Sequence, residues 1–110
     1  MSIVITGKKM DIGSALRIQT EEKLNALCKK YNLNPLDIRV VFSAEGSPFH
    51  PLIRCDVEMH AGHGLDLRAH KETDDAHVSL EEALETFETR LRRHKDKVTD
   101  HLKREGHAEP

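Results

Sequence analysis

The sequence predicts an α+β fold in the order β-α-β-β-β-α, a four-stranded, mostly antiparallel sheet with both helices packed on one face. Three observations carry this. Ile53, Cys55, Val57 and Met59 alternate with Arg54, Asp56, Glu58 and His60, the period of two that a strand shows when one face is buried and the other wet. Gly62-His63-Gly64 is a connection of hairpin length, and beyond it Leu65, Leu67 and Ala69 alternate with Asp66, Arg68 and His70, giving an antiparallel partner strand. Two further segments, one ending near Cys28 and one running past Leu80, space their apolar residues at helical intervals.

Taken in chain order, Ile3 to Thr6 is a brief β-branched run closed by Gly7, which predicts the first strand. Asp11 or Ser14 offers a capping oxygen to the first helix, in which Ala15, Leu16, Gln19, Leu24, Leu27 and Cys28 fall close to one face. That helix should stop near Tyr31-Asn32, because Asn34-Pro35 cannot continue it. Ile38 to Ser43 is rich in β-formers, and Glu45-Gly46-Ser47-Pro48 supplies turn chemistry after it. After the hairpin, Thr73, Asp74 and Asp75 carry capping oxygens and acidic charge where a helix start uses them. Leu80, Leu84, Phe87, Leu91, Val98 and Leu102 then continue a long second helix that should end at Gly106.

With 110 residues the chain has room for one domain, expected over residues 1–105, with 106–110 as a disordered tail or the start of a linker. One Tyr, three Phe and no Trp mean that the core is built from Leu, Ile, Val and Ala. Cys28 and Cys55 form no C-x-x-C pair and follow no secretory leader, so they read as free buried thiols in a reducing cytoplasm. No apolar run approaches the roughly 20 residues of a membrane span, and a cytoplasmic protein without a membrane partner is expected.

A formal net charge of -2 excludes a polycation that coats nucleic acid indiscriminately, yet it conceals a local asymmetry. From Arg90 to Arg104 seven basic residues (Arg90, Arg92, Arg93, Lys95, Lys97, Lys103, Arg104) face two acidic ones, Asp96 and Asp100. Arg90, Arg93 and Lys97 recur at spacings that put them on one helix stripe, about 90 to 130 degrees from the apolar positions, along which phosphate can dock. The plainer explanation is dipole complementation, since Glu81, Glu82, Glu85 and Glu88 occupy the first half of the same helix. Lys8 and Lys9 after the first strand, and Lys23, Lys29 and Lys30 on the first helix, either lie beside the stripe if the helices pack together or are ordinary solvated lysines. The paired strand aromatics with which an RNA-recognition sheet stacks bases are absent, so any RNA contact should be to backbone and shape.

His60, His63, Asp66 and His70 crowd two strands and their turn with donors that zinc accepts, which keeps a small metal-binding protein open as an alternative. Their spacing matches no zinc pattern, and no nucleophile elbow, phosphate-binding glycine loop or H-E-x-x-H helix is present. No catalysis, cofactor or small-molecule substrate is therefore expected.

Ile5-Thr6-Gly7, then Met10-Asp11-Ile12 with Ala15-Leu16-Arg17, then Asp75 opening the second helix, and Leu91-x-Arg93-His94-Lys95-Asp96-Lys97 near its end carry a resemblance in that order. From about Ile3 to Lys103 the chain resembles the ribosome hibernation-promoting factor and ribosome-associated inhibitor family, also called the sigma modulation protein family. The resemblance implies a protein that binds the small ribosomal subunit near the decoding centre through 16S rRNA, excludes mRNA and tRNA and silences translation in stationary phase or stress. Arg93 and Lys97 match the family's basic positions on the second helix, Lys23 and Lys29 those on the first, and Lys8 a loop lysine; Arg90, Arg92 and Lys95 extend the set. His77 stands where the family usually has tyrosine, and Thr86 and Thr89 where it often has basic residues. Short members act alone or promote ribosome pairing with a second factor, whereas long members carry an added C-terminal domain through which they dimerise. A general double-stranded RNA module remains the other binding-class alternative. The family's sigma-modulator label finds no residue pattern here that would recognise a polymerase subunit.

Overall fold

The computed structural model describes the backbone of residues 2–62 and 65–108 and the side chains of residues 2–60 and 66–93. The elements are β1 (Ser2–Lys8), α1 (Ser14–Lys30), β2 (Asp37–Gly46), β3 (Pro51–Gly62), β4 (Leu65–Thr73) and α2 (Ala76–Ala108), in the order the sequence predicts. The sheet runs β1-β2-β3-β4, with β1 parallel to β2 and the other two pairings antiparallel. A parallel pair cannot be joined by a tight turn, so α1 serves as the crossover between β1 and β2.

One face of the sheet is dry. Ile38, Val40 and Phe42 from β2, Cys55, Val57 and Met59 from β3, and Ala69 from β4 are all buried, beneath Leu16, Leu24, Leu27 and Cys28 of α1 and Leu80, Ala83, Leu84, Phe87 and Leu91 of α2. The alternation in β3 thus has the predicted phase, and the core is aliphatic apart from Phe42 and Phe87. Thr20 is buried on α1 without penalty, because its hydroxyl donates to the Leu16 carbonyl at 2.7 Å. Both cysteines are free and buried; burial, helped by the neighbouring Asp56 charge, pushes the Cys55 thiol up to about 12, so it stays a neutral core residue.

The helix ends show which local signals operate. Neither Asp11 nor Ser14 caps α1: Gly13 holds the cap position in an extended conformation without any side-chain bond, and Ser14 is already helical. The entry is instead fixed by packing, since Met10 and Ile12 press against the core and Lys9 takes a left-handed φ of 59° to bring them there. At the other end α1 stops where expected, and the device is Asn32. With φ of 52° it lets the Leu33 amide donate to the Cys28 carbonyl at 2.8 Å and its own amide donate to the Lys29 carbonyl at 3.3 Å, the paired bonds of a left-handed helix stop.

Asp75 caps α2 as predicted: its carboxylate accepts from the amides of His77 at 2.8 Å and Val78 at 3.3 Å, an arrangement worth about 1 kcal/mol. Buried Ser79 donates to the Ile53 carbonyl at 2.6 Å and bonds the Thr73 hydroxyl at 2.6 Å, which pins the first turn of α2 to β3 and the end of β4. The helix continues two residues past Gly106, to Ala108. Val98 and Leu102 have side chains outside the described residues, as do His63 and Gly64 of the expected hairpin connection.

Strands β2 and β3 are longer than predicted because their hairpin closes late. Gly46, at φ of 83°, makes the turn, and the amides and carbonyls of Ser47 and His50 bond each other at 3.1 Å in both directions. A side chain at Gly46 would run into the His50 carbonyl, so only glycine fits there. Phe49 at the tip is 89% exposed and belongs to no core.

Candidate nucleic-acid interface

Helices α1 and α2 lie side by side and run in the same direction. His77 bonds Gln19, Glu81 faces Lys23 at 3.7 Å and Glu88 meets Lys30 at 2.7 Å, and the separation in sequence is 58 residues each time. A constant offset is the mark of a parallel pair in fixed register. Lys23 and Lys30 of α1 therefore meet the acidic flank of α2: Glu81, Glu85 and Glu88 line the groove with them and with Leu27 and Leu84.

The basic stripe lies on the opposite flank. Arg90 donates from its guanidinium to the Arg68 carbonyl on β4, so the side of α2 that carries Arg90 and, three residues on, Arg93 looks toward the β4 edge. Arg92 sits one turn after Glu88 on the α1 side and acts by its charge on Lys30, Tyr31 and Glu88. Arg90 and Arg93 thus share a flank of α2, while Lys23 and Lys30 of α1 lie against its other flank. Lys29, Arg92 and Arg93 are exposed and make no ion pair among the described residues, while Lys23 is tied to Glu81. The side chains of Lys95 and Lys97 lie outside the described residues. Lys8 is exposed at the far end of the sheet, opposite Ser43 in register, with Lys9 beside it.

The uncovered sheet face carries charge of both signs. Arg54 grips Asp56 through Nε at 2.9 Å and lies 3.8 Å from Glu72, and Arg68 pairs with Glu58 at 3.1 Å. His60 stands among three carboxylates, Asp66 at 2.7 Å, Glu58 at 3.2 Å and Asp37 at 3.8 Å. This face does put His60, Asp66 and His70 on one side, as expected, but the first two are bonded to each other, and His63 lies outside the described residues. Among the described residues no three His, Cys, Asp or Glu side chains are arranged to hold a metal ion.

The hydrogen bond to Asp66, together with the charges of Asp37, Asp66 and Glu58, holds the His60 imidazolium above its ordinary range against some loss of hydration. A histidine raised in the folded state adds stability that is fully present below its unfolded value near 6.5 and is lost as pH rises through the raised folded value. Denaturant midpoints measured from pH 6 to pH 8.5 should fall more in the parent protein than in His60→Gln. Identical pH profiles for the two would show that the carboxylates leave this histidine unperturbed.

Fold and charge pattern define a class: a small α+β domain with exposed cations, without an ion pair among the described residues, near the C-terminal end of one helix and the middle of the next. The family model described as sigma 54 modulation protein / S30EA ribosomal protein matches residues 3–99, and the chain belongs to that family. It is 30% identical over 108 residues to the ribosome hibernation promotion factor of Bradyrhizobium diazoefficiens, an alignment covering 98% of this chain and 51% of that protein. The same-named protein of Rhizobium meliloti is 31% identical over 101 residues, 92% of this chain and 51% of the relative. The chain thus spans about half the length of these curated relatives. Its fold is similar to that of a ribosomal subunit interface protein from Coxiella burnetii, with a TM-score of 0.62 and 26% identity over 87% of this chain and 99% of that one. No described helix is long and apolar enough to cross a membrane.

Proposed function

We propose that the chain is a ribosome hibernation factor of the cytoplasm, which binds the small ribosomal subunit through 16S rRNA near the decoding centre, keeps out mRNA and tRNA and so inhibits translation in stationary phase or stress. Family membership over residues 3–99 is the observation that carries this reading. Lys29, Arg92 and Arg93, exposed and without an ion pair among the described residues, support it, with Lys95 and Lys97 continuing the basic run and Lys8, Lys23 and Arg90 as further contacts. The protein acts by occupying a site, not by chemistry, and its contacts are to phosphate and shape, because the helices expose cations without base-stacking aromatics.

Sedimentation with purified small subunits through a sucrose cushion, at low and moderate salt, tests the reading. Near-stoichiometric co-sedimentation is expected, weakening as salt rises by about 0.7–0.9 log units of affinity per log unit of salt for each phosphate contacted. An unrelated RNA duplex added in excess should not compete. Competition on equal footing would make the protein a general duplex binder, and no sedimentation at low salt would remove the ribosome altogether.

A further inference from the structure

Glu88 is unlike the other two links between the helices. One of its oxygens, Oε1, accepts from Lys30 Nζ at 2.7 Å and from the Tyr31 hydroxyl at 2.8 Å. By contrast Lys23 reaches Glu81 only at 3.7 Å. Lys30 and Tyr31 are the last residue of α1 and its cap, and the Lys30 ammonium also stands 5.5 Å from the centre of the Tyr31 ring. Arg92 follows Glu88 by one helical turn, and exposed Lys29 adjoins Lys30. One cation and a hydroxyl thus share a single carboxylate oxygen at the edge of the surface, with the charge of Arg92 also acting on that carboxylate, and the Lys30 side chain there keeps 65% of its exposure.

Such a gathering is what a phosphate asks for: two donors from the end of α1, a further positive charge from α2 and open solvent beside them. A phosphodiester carries one negative charge on two equivalent oxygens, as a carboxylate does. An exposed Lys–Glu contact is weak enough to be exchanged for it. We propose that Lys30, Tyr31 and Arg92 form a binding site for an RNA backbone phosphate, and that the chain's own Glu88 carboxylate fills this site in the free protein and is displaced on binding. The inference rests on the ribosome reading above and adds to it a built-in competitor that weakens binding.

Glu88→Gln tests it. The amide keeps an acceptor for Tyr31 and the shape of the side chain, so the helix pair stays together while the competing charge is gone. Affinity for small subunits should rise about 3- to 10-fold at moderate salt, with the salt dependence steeper by about 0.7–0.9, because Lys30 then meets phosphate without freeing a carboxylate. Glu85→Gln removes the same charge one turn earlier, from a side chain without a partner among the described residues, and should give a clearly smaller gain. Adding Lys30→Gln to Glu88→Gln should cancel the improvement. A Glu88→Gln protein that binds no better than Glu85→Gln, or worse than the parent, would overturn the site while leaving the ribosome reading in place. A parent protein that does not bind small subunits at all would overturn both.

Discussion

Phe87→Ala is expected to lower the unfolding free energy by about 3–5 kcal/mol. Phe87 is fully buried on the inner face of α2, in the same core cluster as Leu80, Leu84 and Leu91, and the buried core holds just one other phenylalanine, Phe42. In a core of aliphatic side chains no neighbour is large enough to fill the space a lost ring leaves, so the cavity penalty adds to the lost burial. Domains of this size have about 5–15 kcal/mol in total, so the variant should remain folded at low temperature and melt early. Urea unfolding followed by circular dichroism measures the change. Phe49→Ala is the internal comparison: the same residue type at 89% exposure should change stability by less than about 0.5 kcal/mol. Near-equal losses at the two positions would mean that α2 is not anchored through Phe87.

The double variant Arg93→Glu, Lys97→Glu should bind small subunits at least about 100-fold more weakly at moderate salt, and the slope of affinity against salt should flatten by about 0.7–0.9 for each lost contact. Two charge-assisted contacts disappear and two repulsions against the phosphate backbone replace them, so more than about 3 kcal/mol is at stake. Arg93 is exposed and unpaired among the described residues, hence its reversal should leave the fold intact. Lys23→Glu should do much less, because Lys23 lies on α1, across α2 from the flank that carries Arg90 and Arg93. Equal effects from all three positions would point to net charge alone, and unchanged binding by the double variant would move the interface to another face of the domain.

The fold was legible where the pattern is local. Period two in Ile53–Met59 and in Leu67–Ala69, and apolar spacing from Leu80 to Leu91, are consequences of one face meeting a core, and such patterns survive any tertiary arrangement. Asp75 could be read as a cap because its hydrogen bonds reach only two and three residues along the chain. Asp11 and Ser14 look alike as candidates and do nothing of the sort, since contacts of Met10 and Ile12 with distant residues decide where α1 begins. The candidate interface was legible as composition but not as arrangement. Nothing in the sequence marks that Lys23 and Lys30 face Glu81 and Glu88, or that Arg90 turns to β4, because helix register is set by packing between segments 58 residues apart. The groups gathered around Glu88 were missed for that reason: the offset of 58 residues that joins them gains its meaning only once the two helices are seen to lie parallel.

Parallel pairing of β1 with β2 also governs the order in which the molecule can come together. Each β1 residue pairs with the one 35 positions later, from Ser2 with Asp37 to Lys8 with Ser43, so no pair can form until the intervening chain has been drawn into a closed loop. By contrast β2, β3 and β4 are joined as consecutive antiparallel neighbours, and α2 follows β4 directly, so their contacts are reached with far less chain to confine. The meander and its second helix thus close over shorter stretches of chain than the β1–β2 pair does. β1, like β4 at the other edge, has only one hydrogen-bonded neighbour, and its pairing is the one that closes the longer loop. Lys8 ends β1 and Lys9 follows it, so the hold of the domain on those two cations is only as firm as the single pairing of β1 with β2.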